Sequence, residues 1–558
     1  MIKKFVWDLR NEFHGYNGKT FSKDVMAGLT VAAVALPLAL AFGVSSGATA
    51  ASGLITAIVA GVIIGTLSGA SYQISGPTGA MSAILLTLSA KYGIKGVLTA
   101  GFLSGILLIL AALFKIGKLV SYIPSPVITG FTSGIAVIIV LGQVDNFFGT
   151  HSKGESAVFK LISYAKLGFH PNLWAILFGV VVVLIMLFYP KKFAAFVPSS
   201  LAGIVIALLL NILLNPDASH STVTEVGAIP KSLMTNNSIL LNGFDLKNIT
   251  TLIFPAISIA TLGMIESLLC GACAGKMKHE KLDADRELLS QGIGNLLIPL
   301  LGGVPATAAI ARTSVAIKSG GVTRLVSVFH SVTLILSMFL LGGVMSRIPL
   351  SALAGVLAVT AWRMNEWNSI KQIFSKHMKA SIIQFSVTMF ATIVFDLTVA
   401  ILAGVIAAML IFVIKSSELK VIVSNIDMKK LGEKGLHGNH EATRLVYLSG
   451  PLFFGTQEKL LNTYRELEDT AEVIFSMRGV PSIAECAVDE LFILHDLLQE
   501  EGVLMLLCGV QPHVKEMLDK SGFTEKFGEE NFFWDAISAI KYLEKLEKQT
   551  VSKAAALA

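Results

Sequence analysis

Long apolar runs dominate roughly the first 415 residues of the chain, and a mixed, alternating pattern replaces them afterwards. Residues 175–189 (AILFGVVVVLIMLFY) and 332–344 carry no charge, and similar windows recur. A bilayer core takes about 20 mostly apolar residues per helix. The pattern predicts seven spans beginning near Asp24, Ser52, Gly76, Gly96, Ser121, Pro171 and Val197. It predicts seven more beginning near Asn248, Glu287, Pro305, Val322, Leu350, Ala380 and Asp396. Beyond Lys415 the periods become those of a small α/β domain, with strands expected at 446–454, 473–477 and 503–508 and helices at 487–500 and 514–521.

The expected organisation is an N-terminal segment (1–23), a membrane region (24–415), a linker (416–440), the α/β domain (441–548) and a disordered tail (549–558). Inside the membrane region an echo appears. Ile123–Pro124 with Gly130 matches Ile348–Pro349 with Gly355, and GPTGAM at Pro77 matches VPATAAI at Pro305. The two offsets are 225 residues (123 to 348) and 228 residues (77 to 305), which argues for duplicated halves of about 24–214 and 248–415. An odd number of spans per half inverts the second half. Basic residues such as Lys3, Lys4, Lys118, Lys191, Lys192, Lys276, Lys278 and Lys371 then gather on one face, which places both termini in the cytoplasm.

Composition agrees with this picture. Mean hydropathy is +0.70, 53% of residues are apolar and 15% are charged, far from the balance of a water-soluble enzyme. The polar, basic start lacks the short apolar stretch of a cleavable signal peptide. Four cysteines make no disulfide framework, and the Cys270–Cys273 pair has no second pair to complete a metal site. The net charge of +6 is that of membrane-flanking loops rather than of a nucleic-acid binder. No nucleotide site is expected either: Gly450–Gly455 has phosphate-loop spacing, but Thr456 stands where lysine is needed.

The third and tenth spans are short and open with Gly76-Pro77-Thr78-Gly79 and Pro305-Ala306-Thr307-Ala308. Proline suits a helix start, where its missing N–H has no intrahelical partner. Unsatisfied N–H groups and the helix dipole make such an end partly positive, so two of them facing each other would hold an anion without a full charge. Thr78 and Thr307 add hydroxyl donors, while Gly76, Gly79, Gly302 and Gly303 let a substrate approach the backbone. Arg312, further along the tenth span, either adds positive potential to this site or snorkels to the surface. Gln73, Tyr72 and Pro37 are candidate cavity residues. Glu266 stands in an otherwise uncharged stretch, where an acid costs about 2.5–3.5 kcal/mol. It carries a coupling proton, holds a sodium ion, or accepts hydrogen bonds from a neighbouring helix.

These residues resemble the SulP family of anion transporters, bacterial relatives of the animal SLC26 proteins. The likeness rests on DVMAGLTVAAVALPLALAFGVSSG, ISGPTGAM, YIPSPVITGFTSGIAVII, GMIESLLC, QGIGNLLIPLLGGVPATAAIART and the C-terminal domain, in the family's order. It implies a 7+7 inverted repeat of fourteen segments divided into core and gate domains, with an elevator-like movement of the core. Substrate is then expected between the third and tenth segments. By motif, Gln73, Pro77, Thr78, Glu266, Thr307, Ala308 and Arg312 fall near substrate or coupling ion. The tail resembles a STAS domain, which implies a homodimer. It departs from the phosphorylatable STAS turn, because GVPSIAECAV puts Ala484, Glu485 and Cys486 where a hydroxyl is expected. GMIESLLC and PATAAIART look most like the branch handling C4-dicarboxylates, with bicarbonate and sulfate as alternatives. The implied activity is proton-coupled uptake, with sodium second, across the bacterial inner membrane and in contact with its lipid. An anion channel and a membrane sensor signalling through the STAS domain are the rival classes. No nucleophile or metal cluster supports an enzyme, and no cofactor is implied.

Overall fold

The computed structural model describes residues 2–118, 123–153, 157–190, 197–214, 225–227, 229, 231–395, 397–427, 431, 436, 440–467 and 469–557. The expected span starts at Ser121 and Asp396, and the basic pair Lys191 and Lys192, lie outside these residues. The chain divides into two compact units, Met1–Ala407 and Ala408–Ala558, close to the change of composition at Lys415.

The first unit is helical. After α1 (Ile2–Glu12) come α2 (Gly18–Ser45), α3 (Ala50–Leu67) and the two-residue strand β1 (Ser75–Gly76). Then follow α4 (Gly79–Leu113), α5 (Ser125–Gly142), α6 (Leu173–Phe188) and α7 (Ser199–Leu214). The second set is α8 (Ile253–Lys278), α9 (Ala284–Leu300), strand β2 (Thr307–Ala308), α10 (Ile310–Lys318), α11 (Leu325–Met345), α12 (Leu350–Met364), α13 (Lys379–Val394) and α14 (Leu397–Ser416). Among the described residues seven helices are long and apolar enough to cross a bilayer, and four shorter apolar helices accompany them. The expected third and fourth spans are the two halves of α4. They meet at Gly93, whose φ of 67° only glycine adopts readily.

Lipid is as apolar as leucine, so membrane helices associate through close packing of small residues rather than through hydrophobic burial. The α2–α3 contact works this way. A Cβ on Gly53 would fall 2.0 Å from the carbonyl oxygen of Ala39, so the two backbones touch directly. The start of α2 is fixed by a capping box at Asn17, whose side chain accepts from Lys19 N and Thr20 N. Outside the spans, α1 is pinned by three ion pairs: Lys4–Asp283 at 2.6 Å, Asp8–Arg286 at 2.9 Å and Glu12–Arg324 at 2.7 Å. Phe5 lies under Arg286, with 4.2 Å between the guanidinium carbon and the ring centroid. Burial alone would raise the Asp283 carboxyl, but Lys4 and the N–H of Arg286 outweigh it and hold it below the usual carboxylate range.

The second unit is a five-stranded sheet in the order β3-β4-β5-β6-β7. These are Lys420–Asn425, Thr443–Ser449, Glu472–Gly479, Leu504–Cys508 and Phe532–Phe533. β3 pairs antiparallel to β4 and the other pairs are parallel. Helices α15 (Glu485–Glu500), α16 (Pro512–Lys520), α17 (Phe523–Phe527) and α18 (Ala536–Leu557) complete it. Val446, Phe475 and Leu507 enter one apolar cluster while Leu445, Ile474 and Leu506 enter another, so the central strands are covered on both faces. Two expectations are corrected. Residues 420–425, expected as linker, form an edge strand whose partner, β4, lies beyond an intervening segment. Residues 549–557, expected as a disordered tail, continue α18 as helix. Strand β4 stops at Ser449, short of Phe454, since Gly450 at φ 130° and Pro451 end the ladder.

Candidate functional site

β1 and β2 meet antiparallel, Ser75 opposite Ala308 and Gly76 opposite Thr307. Each strand leads at once into a helix, so α4 and α10 leave the crossing in opposite directions with their N-termini facing. The crossing extends by one residue, as Ala309 N donates to Ile74 O at 2.9 Å and Ile74 N donates to the Thr313 hydroxyl at 3.0 Å. Thr78 is the N-cap of α4, accepting from Met81 N, whereas Ala309 caps α10 with no side-chain bond. The positive ends of both dipoles therefore point at one place.

Glu266, on α8, closes that place. Its Oε2 accepts from Thr78 Oγ1 at 2.8 Å and Thr307 Oγ1 at 2.5 Å, and the two hydroxyl oxygens lie 3.0 Å apart. One carboxylate thus joins the motifs at Thr78 and Thr307. Glu266 is partly exposed, while Thr307 is wholly buried. Among the described residues no cation forms an ion pair with Glu266. Arg312, buried to 1% exposure, donates from Nη2 to Pro77 O at 2.6 Å, and its Nη1 has no protein partner. It therefore does not snorkel. It puts a full positive charge directly behind the turn that starts α4. Gly76 makes room for it, since a Cβ there would fall 2.4 Å from Nη1.

The remaining sequence-predicted residues divide. Gln73 donates from Nε2 to Ser267 O at 2.6 Å and Tyr72 donates to Gly271 O at 3.1 Å, which ties the approach to β1 onto α8. Gly79 sits against Ile139 and Phe42. Ala308 N is engaged by Ser267 Oγ at 3.2 Å. Ala306 is turned away, with its N–H and its carbonyl both held by the Asn295 side chain at 2.7 and 2.9 Å. Pro305 packs on α4 at Gly101, and Gly302 and Gly303 lie against Thr235 and Thr56. These four contact neighbouring helices and loops rather than Glu266.

Sequence reasoning missed the braces behind the crossing. Gln291 Nε2 donates to Ser75 Oγ at 2.8 Å and to Glu287 Oε1 at 2.9 Å, while Glu287 Oε2 accepts from Ser68 Oγ at 2.6 Å and Gly69 N at 3.0 Å. Glu287, Gln291 and Asn295 are spaced by four on α9 and are at most 1% exposed. Polar residues at i, i+4, i+8 inside an apolar helix were the available signal.

Helix ends, hydroxyls and one buried guanidinium gather around a short strand crossing inside a polytopic helical domain, and the smaller unit is a STAS-type α/β domain. A sulfate permease family model matches residues 21–382, and a STAS domain model matches residues 437–538. YvdB of Bacillus subtilis (strain 168), whose name marks it as a candidate sulfate transporter, is 33% identical over 534 residues, covering 93% of this chain and 97% of its own. The bicarbonate transporter BicA of Picosynechococcus sp. (strain ATCC 27264 / PCC 7002 / PR-6) is 28% identical over 483 residues, covering 83% and 84%. The murine Slc26a9 anion transporter shares the fold, with a TM-score of 0.83 at 17% identity over 97% of this chain and 95% of that one. The chain belongs to the sulfate permease (SulP/SLC26) family. It is a multi-pass membrane anion transporter, not an enzyme.

Proposed function

We propose that the protein is a proton-coupled carrier of a small inorganic oxyanion, of the sulfate or bicarbonate type, with Glu266 as the coupling group. The observation that carries this reading is the pair of threonine hydroxyls on Glu266, one from each half. Each hydroxyl has one proton to give. When Glu266 is ionised both protons are held by its carboxylate, and its charge repels an incoming anion. When a proton occupies Glu266, that charge vanishes and the hydroxyls are released to donate to the substrate, beside the helix ends and Arg312. Anion and proton would then enter together. An acid at this depth with no ion-pair partner needs such a neutralising ion, a proton or a small cation such as sodium.

The names of YvdB and BicA support sulfate or bicarbonate rather than the C4-dicarboxylate expected from the motifs. The seat offers one buried guanidinium, Arg312, which suits an ion with a single charged pole better than two separated carboxylates. The facing N-termini at an antiparallel crossing support the inverted repeat and an elevator-like movement of the braced core. The lysine distribution supports both termini on the cytoplasmic face of a bacterial plasma membrane, and the STAS domain supports a homodimer.

Reconstituted protein tests this. Labelled sulfate, bicarbonate and succinate uptake is followed with and without an inward proton gradient, and with sodium in its place, for wild type and Glu266→Gln. Wild-type sulfate or bicarbonate uptake should rise with the proton gradient, and Glu266→Gln should ignore it. Uptake driven by sodium alone, or preference for succinate, would replace the respective half of the reading. Current under voltage clamp with no co-ion requirement would replace the carrier by a channel.

A further inference from the structure

The helices that supply Thr78 and Glu266 also enclose a groove that the transport chemistry does not use. It measures 490 Å³ and lies between the first half of α4 and the start of α8. Its rim carries Lys91, Tyr92, Thr250 and Thr251. Those residues sit where both helices end, Lys91 just before the break at Gly93 and Thr251 just before Ile253. Further along the two helices the lining is Ile84, Leu88 and Pro255, interrupted by the hydroxyls of Thr87 and Ser258. Phe254, in the first turn of α8, is 78% exposed.

The two ends call for different chemistry from one occupant. Among the described residues no carboxylate pairs with Lys91, whose ammonium stands 5.2 Å from the Tyr92 ring centroid. An ammonium with three donors and the Thr250 hydroxyl suit a phosphate oxygen, whereas the Thr251 hydroxyl already donates to Asn248 O at 2.8 Å. The aromatic ring marks the headgroup level of a bilayer, and Ile84, Leu88 and Phe254 suit an acyl chain. We propose that this groove binds an anionic phospholipid, with its phosphate on Lys91 and Thr250 and a chain along Ile84, Leu88 and Phe254. The lipid would sit against α4 and α8, the helices that carry the Thr78–Glu266 contact, which makes bilayer composition a regulator of transport.

The test uses the full chain, purified and placed in phosphatidylcholine vesicles with or without phosphatidylglycerol. Native mass spectrometry reads bound lipid, and the melting midpoint reads protection. Wild type should retain phosphatidylglycerol and melt higher in its presence. Lys91→Gln should bind it roughly fivefold more weakly, the weight of one lysine at an anionic surface. Thr250→Val, which keeps the charge, should weaken it less. Equal retention by wild type and Lys91→Gln overturns the site. So does a Lys91→Gln melting midpoint that falls equally in pure phosphatidylcholine, since that marks a structural lysine. Protection of wild type by free phosphate or sulfate in neutral vesicles overturns the lipid and assigns the groove to a soluble oxyanion.

Discussion

Gly76 has a neighbour that leaves it no room to change. A methyl group there would stand 2.4 Å from Arg312 Nη1 and 3.1 Å from its Cζ. The tip of a long side chain ordinarily yields at little cost, but this guanidinium is buried and anchored on the Pro77 carbonyl. Gly76→Ala must therefore break that bond and displace the positive charge behind the α4 N-terminus. We expect a rise in the apparent KM of anion uptake of about tenfold, the equivalent of roughly 1.4 kcal/mol. Initial-rate uptake in proteoliposomes at matched protein content measures it. An unchanged KM would mean that Arg312 does not act on the substrate. Arg312→Lys should produce a similar loss, because an ammonium cannot reproduce the planar fork. The sequence singled out this glycine as a place where a substrate could approach the backbone. Its actual partner, 236 positions along (76 to 312), required the fold.

Helix α9 works as a brace at the level of whole elements. β1 and β2 pair over two residues each, too little to fix their own register. Gln291 holds β1 through Ser75, and Asn295 holds β2 through both backbone groups of Ala306. Asn295→Ala would leave a buried N–H and a buried carbonyl unpaired, each costing about 1–3 kcal/mol. A lower melting midpoint in detergent and a loss of uptake with all tested anions are the expected outcomes. Retention of both would show that the strands hold themselves. Much at this scale was readable from periodicity. The paired short spans, the break between the halves of α4 and the separate C-terminal domain all follow from apolar length and from Gly and Pro placement. The brace was not readable, since a buried amide pattern says that a partner exists and not which backbone it meets. The edge strand Lys420–Asn425 was missed because its partner lies beyond an intervening segment. For a related reason the direction in which Gly302, Gly303, Pro305 and Ala306 face was not readable: Gly and Pro mark a turn without saying which way it faces.

On the scale of the molecule, each unit carries its own buried core, so the STAS unit has acid and base limits of its own. Lys515 bonds Asp519 at 2.7 Å and Glu529 at 2.9 Å and lies 4.2 Å from the Phe532 ring centroid, which links α16 to the last strand. Burial would lower the Lys515 ammonium, but these carboxylates outweigh it and raise it above the usual value. The Lys515 hydrogen bond, then the Thr524 hydroxyl, holds Asp519 below the usual carboxylate range. A depressed carboxyl stabilises the folded form above its unfolded pKa of about 3.9, and that contribution is lost as pH falls through the lower folded value. A raised lysine does the reverse: its contribution is complete below about 10.4 and disappears as pH rises through the higher folded value. The pair therefore supports the unit fully at neutral pH and fails only at the two extremes. Because the groups are largely solvent-exposed, the network contributes at most about 1 kcal/mol. Lys515→Met should speed amide exchange over residues 512–527 at pH 7, after correction for intrinsic rates. It should also shift the onset of acid-induced opening of that segment upward. If exchange at pH 7 is unchanged and the acid onset does not move, the Phe532 contact and the apolar core hold the segment without the charges.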